Sequence, residues 1–395
     1  MRKLLVAAVV APSLIVSAPT LSDVEVGVIN SLSGVFATFG QRYQTGMEVA
    51  LEEINEAGGV RGEPLALVIQ DDRSEANSAL AAVEALNRQN VSLIMGSYAS
   101  GITGPMAQLM TRQEIPLIVL GSADDSITKP GSPWVFRAKH NSTIVAQTYF
   151  DYFDHLRETF DDSLQTVAML YGNGAWPESL AQEGARLAEE RGYEIVSDQS
   201  YDQGTSDFRP ILNRFRSESP DLLYVVAYAE DGVAIARQMR EVNLNAKAVA
   251  IDTGAALPSF INQVGDLSEY VATVVSWSKD VQYDGVEDLY ERLKAKAGEE
   301  PTFYEAEGYL ALRAAADALE RAESLDRSDV RDALAETDLD TPVSHVAFES
   351  FDGFQGQNPI RSLVLQIQDG EHVTVYPVDL AAEELRYPTP PWNER

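Results

Sequence analysis

The feature that most constrains this chain is a repeated alternation of short apolar strands with amphipathic helices, the strands ending in small or hydroxyl-bearing residues. Val24–Ile29 reads as a strand. Gln41–Ala57 reads as a helix with Met47, Ala50, Leu51 and Ile54 on one face, closed by Gly58-Gly59. Leu65–Gln70 is the next strand, and Asp72 with Glu75 is a candidate capping box for a helix striped by Ala76, Ala79, Leu80 and Val83. An apolar run from Ser92 then enters the loop Gly96–Pro105, which is rich in glycine and hydroxyls and opens a helix. Leu117–Leu120 similarly enters Gly121-Ser122-Ala123-Asp124, and Val135–Arg137 completes the block. Such loops present free backbone N–H groups at the positive end of a helix dipole, which suits a carboxylate or another small anion.

The pattern then restarts. Asn141–His155 reads as a helix, Thr166–Tyr171 as a strand and Pro177–Arg191 as a helix. Leu222–Val226, Asp231–Val242 and Ala248–Ile251 follow as strand, helix and strand. Two such blocks predict an α/β fold of two doubly wound, Rossmann-like lobes with parallel sheets and a cleft at the carboxyl ends of the strands. The last third supplies a strand at Val271–Ser276, helices at Glu287–Ala297, Tyr304–Ala322 and Ser328–Glu336, and a hairpin of Leu363–Gln368 with Thr374–Pro377 around Asp369-Gly370. These elements complete the two lobes, so the chain must cross between them more than once. The proline-bearing tail from Glu383 reads as an extended surface strap.

A length of 395 residues exceeds what one core usually holds, in keeping with two lobes. Thirty Lys plus Arg stand against 61 Asp plus Glu, a net charge of −31 that leaves no basic surplus for a nucleic-acid or anionic-membrane partner. Met1-Arg2-Lys3, an apolar stretch from Leu4 to Val16, and Val16-Ser17-Ala18 read as a signal peptide over residues 1–18, with the mature chain starting near Pro19. No other long apolar run follows, so the mature chain is not expected to be membrane-embedded. With no cysteine there is no disulfide and no lipid-anchor cysteine. Together these features point to a free periplasmic protein.

The residues offer no catalytic set. Ser100 has Tyr98 and Ile102 where a nucleophile elbow needs glycines, no Walker lysine loop exists, and Gly172-Asn173-Gly174 lacks the third glycine of a dinucleotide fingerprint. His140, His155, His345 and His372 are scattered without metal-ligand spacing, and Asp71-Asp72, Asp124-Asp125 and Asp161-Asp162 are adjacent pairs that diverge on a strand. Neither an enzymatic activity nor a metal or cofactor is expected.

Several motifs in order carry a likeness to a known family: Ser31-Leu32-Ser33-Gly34, Phe39-Gly40, Gly46 with Ala50, Ile54-Asn55-Glu56-Ala57-Gly58-Gly59-Val60-Arg61-Gly62, Asp71-Asp72, the Gly96–Pro105 loop and Tyr228. The chain resembles the type I periplasmic binding proteins, in the leucine/isoleucine/valine-binding branch, over nearly its whole mature length. The resemblance implies three crossovers, placed near Lys139–Asn141, Val275–Trp277 and Glu349–Phe351. The lobes would then be 24–140 plus 277–349 and 141–276 plus 350–382, with 383–395 as a tail. It implies a monomer that closes on a small-molecule ligand and delivers it to an ABC permease in the inner membrane.

By the same resemblance Ser100 corresponds to a carboxylate-binding serine and Gly121 to a backbone contact, with Ser122 and Ala123 beside it and Tyr98 on the Ser100 loop. On the residues alone, Ser97, Ser100 and Thr103 can equally cap the helix that follows. Two departures stand out. Ala123 occupies a place where the family commonly has a second hydroxyl. Thr253 occupies the place of the acid that meets a ligand ammonium, leaving Asp252 or Glu230 for that role; a turn or N-cap function for Asp252 is the other reading. Trp176, Tyr228 and Tyr304 are candidate walls, with Phe36 and Phe39 on the rim. The expected ligand is a branched-chain or other apolar amino acid. The alternative, motivated by Ala123 and Thr253, is a non-amino-acid ligand such as an aromatic or aliphatic carboxylate or amide.

Overall fold

The computed structural model describes residues 23–394. The expected signal peptide and the start near Pro19 lie outside the described residues. The first block alternates β1 (Val24–Asn30), α1 (Ala37–Glu56), β2 (Leu65–Asp71), α2 (Ala76–Arg88), β3 (Ile94–Gly96), α3 (Ser100–Gln113), β4 (Leu117–Val119) and β5 (Val135–Arg137). The second runs α4 (Ser142–Thr159), β6 (Thr166–Gly172), α5 (Ala175–Glu190), β7 (Glu194–Tyr201), α6 (Arg209–Glu218), β8 (Leu222–Ala227), α7 (Ala229–Glu241), β9 (Ala248–Thr253), α8 (Pro258–Val264) and β10 (Val271–Val275). The remainder adds α9 (Val286–Ala297), α10 (Phe303–Arg321), α11 (Arg327–Ala335), β11 (Asp338–Asp340), β12 (His345–Ala347), β13 (Glu349–Phe351), β14 (Phe354–Gln357), β15 (Leu363–Gln368) and β16 (Glu371–Tyr376).

Two seven-stranded sheets result, ordered β13-β14-β5-β4-β3-β1-β2 and β16-β15-β10-β9-β8-β6-β7. Each contains a parallel five-strand unit of the same doubly wound order, which reverses direction beside its first strand. In such sheets the helices on either side of the reversal diverge and leave a crevice at the carboxyl strand ends. The sheets are strongly apolar because both faces are covered: every residue of β8 and β10 is buried. The chain passes between sheets three times, between β5 and α4, between β10 and α9, and between β14 and β15.

Three expectations need correction. The third crossover is not at Glu349–Phe351: β13 pairs antiparallel with β14, and β14 joins the first sheet through Gln357 opposite Arg137. Residues 349–357 therefore extend the first lobe rather than the second, because the edge of β5 offers unpaired backbone groups for them to fill. Asp72 and Glu75 do not form a capping box. Glu75 is the N-cap of α2 without a side-chain bond, while the Asp72 carboxylate accepts from Ser74 N and Ser97 Oγ. The tail is more than a surface strap, for Trp392 is buried against the second lobe and its indole N–H donates to Leu244 O. Its backbone N–H meets Asn245 Oδ1 at 2.9 Å.

Candidate functional site

The β3–α3 turn and the loop after β4 lie side by side at the carboxyl ends of adjacent strands. Gly121 N donates to Ser97 O at 3.1 Å, and a Cβ at Gly121 would meet Tyr98 Cδ2 at 2.6 Å, so only glycine permits this approach. Beneath the second loop sits Arg137, fully buried, donating to Ala123 O at 2.9 Å and Asp124 O at 2.8 Å. Burial pushes this guanidinium down to about 10, opposed by Asp125 and Asp124, so it stays charged at neutral pH. The carbonyls are thus turned onto Arg137. The N–H groups of Ser100 and Ala123 make no hydrogen bond among the described residues, although these residues are 3% and 6% exposed. Buried N–H groups without partners are rare and costly, and here one of them lies at a helix N-terminus. Ser100 Oγ accepts from Asp124 N at 3.2 Å, leaving its own proton without an acceptor. Three donors on two residues of the cleft lining are therefore left without a protein acceptor.

The opposite wall belongs to the second lobe, while α10, packed on α1, adds to the wall of the first lobe. A narrow cleft, in which the centre of a water molecule can range over ≈ 30 Å³, is lined by Tyr98, Ser100, Gly121 and Ala123 on one side. Phe303 and Tyr304 join them from α10, and Trp176, Tyr228, Asp252 and Thr253 line it from the second lobe. Trp176 and Tyr228 lie 4.9 Å apart by ring centres, and Phe303 and Tyr304 4.0 Å apart. Asp252 closes the end of β9. It is 5% exposed and accepts from Tyr149 at 2.8 Å and from Thr253 Oγ1 at 3.3 Å. Burial raises its carboxyl to about 6, against the pull of those hydroxyls and of Lys139. Thr253 itself has φ +57, a conformation that a β-branched residue adopts only under constraint. The Tyr304 hydroxyl feels Thr253 and Tyr98 nearby, yet no hydrogen bond meets it.

Of the residues singled out from sequence, Tyr98, Ser100, Gly121, Ala123, Trp176, Tyr228, Asp252, Thr253 and Tyr304 meet in this cleft. Ser122 does not line it: its hydroxyl is spent on Thr103 Oγ1 at 2.6 Å and on the carbonyls of Ser97 and Tyr98. Glu230 is exposed on the first turn of α7 and also lies outside the lining. Phe39 stacks on Tyr98 at 4.5 Å as part of the core behind the wall, while Phe36 touches both Tyr98 and Tyr228 at the rim. Sequence reasoning missed Ala99, Lys139, His140, Val145, Val274 and Phe303 in the lining. The available signal was position: Lys139-His140 follows β5 as directly as the two loops follow β3 and β4. A roomier cavity of ≈ 220 Å³ lies beyond Phe303, around Trp277, Tyr290 and His372, but it includes none of the orphan N–H groups.

Residues 23–371 match the family model described as periplasmic binding protein. Leu/Ile/Val-binding protein homolog 7 of Brucella abortus is 29% identical over 399 residues, covering 98% of this chain and 100% of the relative. Homolog 8 of the same species is 25% identical, covering 96% of each. Among solved structures, the leucine binding protein LivK of Thermotoga maritima superposes with a TM-score of 0.80 at 22% identity, covering 90% of this chain and 99% of that one. LivJ of Streptococcus pneumoniae, in complex with isoleucine, gives 0.78 at 20% identity, covering 93% and 100%. At such identities these structures speak for the fold.

Proposed function

The chain belongs to the type I periplasmic binding proteins, in the Leu/Ile/Val-binding family, and from that premise we propose that it captures a small carboxylate-bearing solute with an apolar or aromatic body for an ABC importer. Members of this family are binding components of transporters, not enzymes, and no helix among the described residues is long and apolar enough to cross a membrane. In this reading the chain is exported by its N-terminal segment, works as a periplasmic monomer, and presents its closed form to a permease. The relatives, named for leucine, isoleucine and valine, favour an apolar amino acid within the class.

One observation carries the reading. The unpaired N–H groups of Ser100 and Ala123 and the Ser100 hydroxyl belong to the lining of one cleft that is otherwise rich in aromatic side chains. An ionised carboxylate satisfies all three at once, with charge-assisted bonds worth about 1.5–3 kcal/mol each. Thermal-shift and calorimetric titration with branched and aromatic carboxylates, amino acids included, tests it against sugars and polyamines of similar size. Carboxylates should raise Tm, and Ser100→Ala should weaken the tightest of them about tenfold or more. Stabilisation by the uncharged or cationic set alone, or an unchanged Kd in Ser100→Ala, would overturn it.

A further inference from the structure

A buried cation stands behind the loop after β4 with no anion paired to it. Arg137 ends β5, is fully buried, and makes no ion pair among the described residues. Its Nη1 and Nη2 donate to the carbonyls of Ala123 and Asp124, and its Nε–H meets no acceptor. A guanidinium taken out of water without a counter-ion is costly. The neighbouring charges leave that cost in place. Lys139 is matched by Glu307 at 3.3 Å. Asp124 spends its carboxylate on Ser126 N at 3.0 Å and Ser126 Oγ at 2.8 Å. Asp125 accepts from Thr143 N at 3.2 Å and Thr143 Oγ1 at 2.6 Å, near enough to feel Arg137 without pairing with it. Asp252, likewise without an ion pair, belongs to the second-lobe wall.

A chain of hydrogen bonds runs from this guanidinium to the cleft. Arg137 Nη1 donates to Ala123 O at 2.9 Å. The N–H of that same peptide unit, Asp124 N, donates to Ser100 Oγ at 3.2 Å, and the Ser100 proton is left for the cleft. Bonds in such a chain polarise one another, and away from water the field of a cation is weakly screened. An anion at Ser100 would receive that field and give Arg137 the counter-charge it lacks.

We propose that Arg137 is a positioning residue that sets the preference of the cleft for an ionised carboxylate over a neutral group of the same shape. It does so by aiming the Ser100 hydroxyl and by supplying, through it, a positive charge that no protein anion neutralises. This rests on the carboxylate reading above and deepens it: the group held at Ser100 must carry a full negative charge, while the rest of the ligand is free to vary, an ammonium at Asp252 included.

Calorimetry, by displacement where binding is weak, tests it on the wild type and on Arg137→Gln with each acid set against its own primary amide: L-leucine against L-leucinamide, and 4-methylpentanoate against 4-methylpentanamide. In the wild type the acid should bind at least about tenfold tighter than its amide. Arg137→Gln keeps a donor for Ala123 O and loses the charge, so this ratio should fall about fivefold or more, with the loss in the acid. A merely structural role would weaken acid and amide alike. Arg137→Lys, which keeps the charge, should hold most of the ratio. An acid bound no tighter than its amide by the wild type, an unchanged ratio in Arg137→Gln, or an equal collapse in Arg137→Lys and Arg137→Gln overturns the inference. If neither Arg137 variant folds, Asp125→Asn decides, because Asp125 is the carboxylate that acts most strongly on Arg137. Its removal should raise the ratio about twofold or more, and an unchanged ratio overturns the inference. If no carboxylate binds the folded wild type, the carboxylate reading fails and this inference with it.

Discussion

Asp252 is the residue at which the cleft and the stability of the second lobe are coupled. Its carboxyl ends β9 inside a nearly closed space and is held by Tyr149, whose hydroxyl in turn accepts from Val274 N at 2.9 Å on the neighbouring strand. In the unfolded chain an aspartate titrates near ~3.9, and in the folded protein burial lifts this one to about 6. Between those values the folded chain keeps a proton that the unfolded chain has released. The stability contributed by this group is therefore fully present below about pH 4 and is lost as pH rises through about 6, a difference of roughly 3 kcal/mol. Asp252→Asn keeps an acceptor for Tyr149 and removes the charge. It should melt above the wild type near pH 8, with the gap closing toward pH 4. A Tm difference that does not change with pH would show that Asp252 is not the buried acid responsible.

At the scale of elements, the cleft depends on how closely α1 and α10 cross. A Cβ at Gly46 would stand 1.8 Å from Glu305 O, and one at Gly308 would stand 2.2 Å from Tyr43 O, so the two helices touch backbone to backbone. That contact sets Tyr43 against Glu307 and seats Arg42 on Glu305 at 2.6 Å, and the same first turns of α10 carry Phe303 and Tyr304 to the cleft. Gly308→Ala must push the helices apart, at about 1–3 kcal/mol for overpacking, and should weaken carboxylate binding as well. Gly104→Ala, on α3 with nothing within 4 Å of its Cβ, is the control. It should be neutral or stabilising by up to about 1 kcal/mol. Equal melting temperatures for Gly308→Ala and wild type would refute the close-crossing argument.

The same elements show what the sequence made legible. The apolar face of α1, Met47, Ala50 and Ile54, stands out because one side of the helix is buried, but its start at Ala37 does not. Phe36 is an N-cap without a side-chain bond, so no capping residue marks it. Neither β7 nor α6 was expected. β7 is the edge strand of its sheet, partnered only by β6, so Ser197-Asp198-Gln199-Ser200 can be polar and the hydrophobic pattern fades. β13 and β14 escaped because strands of three and four residues at a sheet edge carry almost no periodicity. In the cleft, Ser100 and Ala123 were legible because strand-end loops are recognisable locally. Lys139 and Glu307 were not, because their pairing joins residues 168 positions apart, and only the fold brings them to 3.3 Å.

For the whole molecule, the question is what holds two lobes shut around so little space. A solute larger than a few waters cannot enter a cleft this narrow, so the lobes must part to admit it and close again. Direct contacts cross the mouth. Phe36, at the start of α1 in the first lobe, meets Tyr228, at the start of α7 in the second, with ring centres 5.3 Å apart. Nearby, Asp125 N reaches Ser179 Oγ on α5 at 3.3 Å. A tilted aromatic pair contributes about 0.5–1.5 kcal/mol beyond its buried area. Opening breaks the Phe36–Tyr228 pair but leaves the contacts within each lobe intact, so that energy weights the closed form specifically. Phe36→Ala should reduce the closed population by about twofold to tenfold and weaken the tightest carboxylate by the same factor, because apparent affinity scales with the competent fraction. Small-angle scattering should then give the ligand-free variant a larger radius of gyration than the wild type, and saturating carboxylate should bring the two together. A variant whose radius and Kd both match the wild type would place the closing energy elsewhere, with the Asp125–Ser179 bond the next contact to remove.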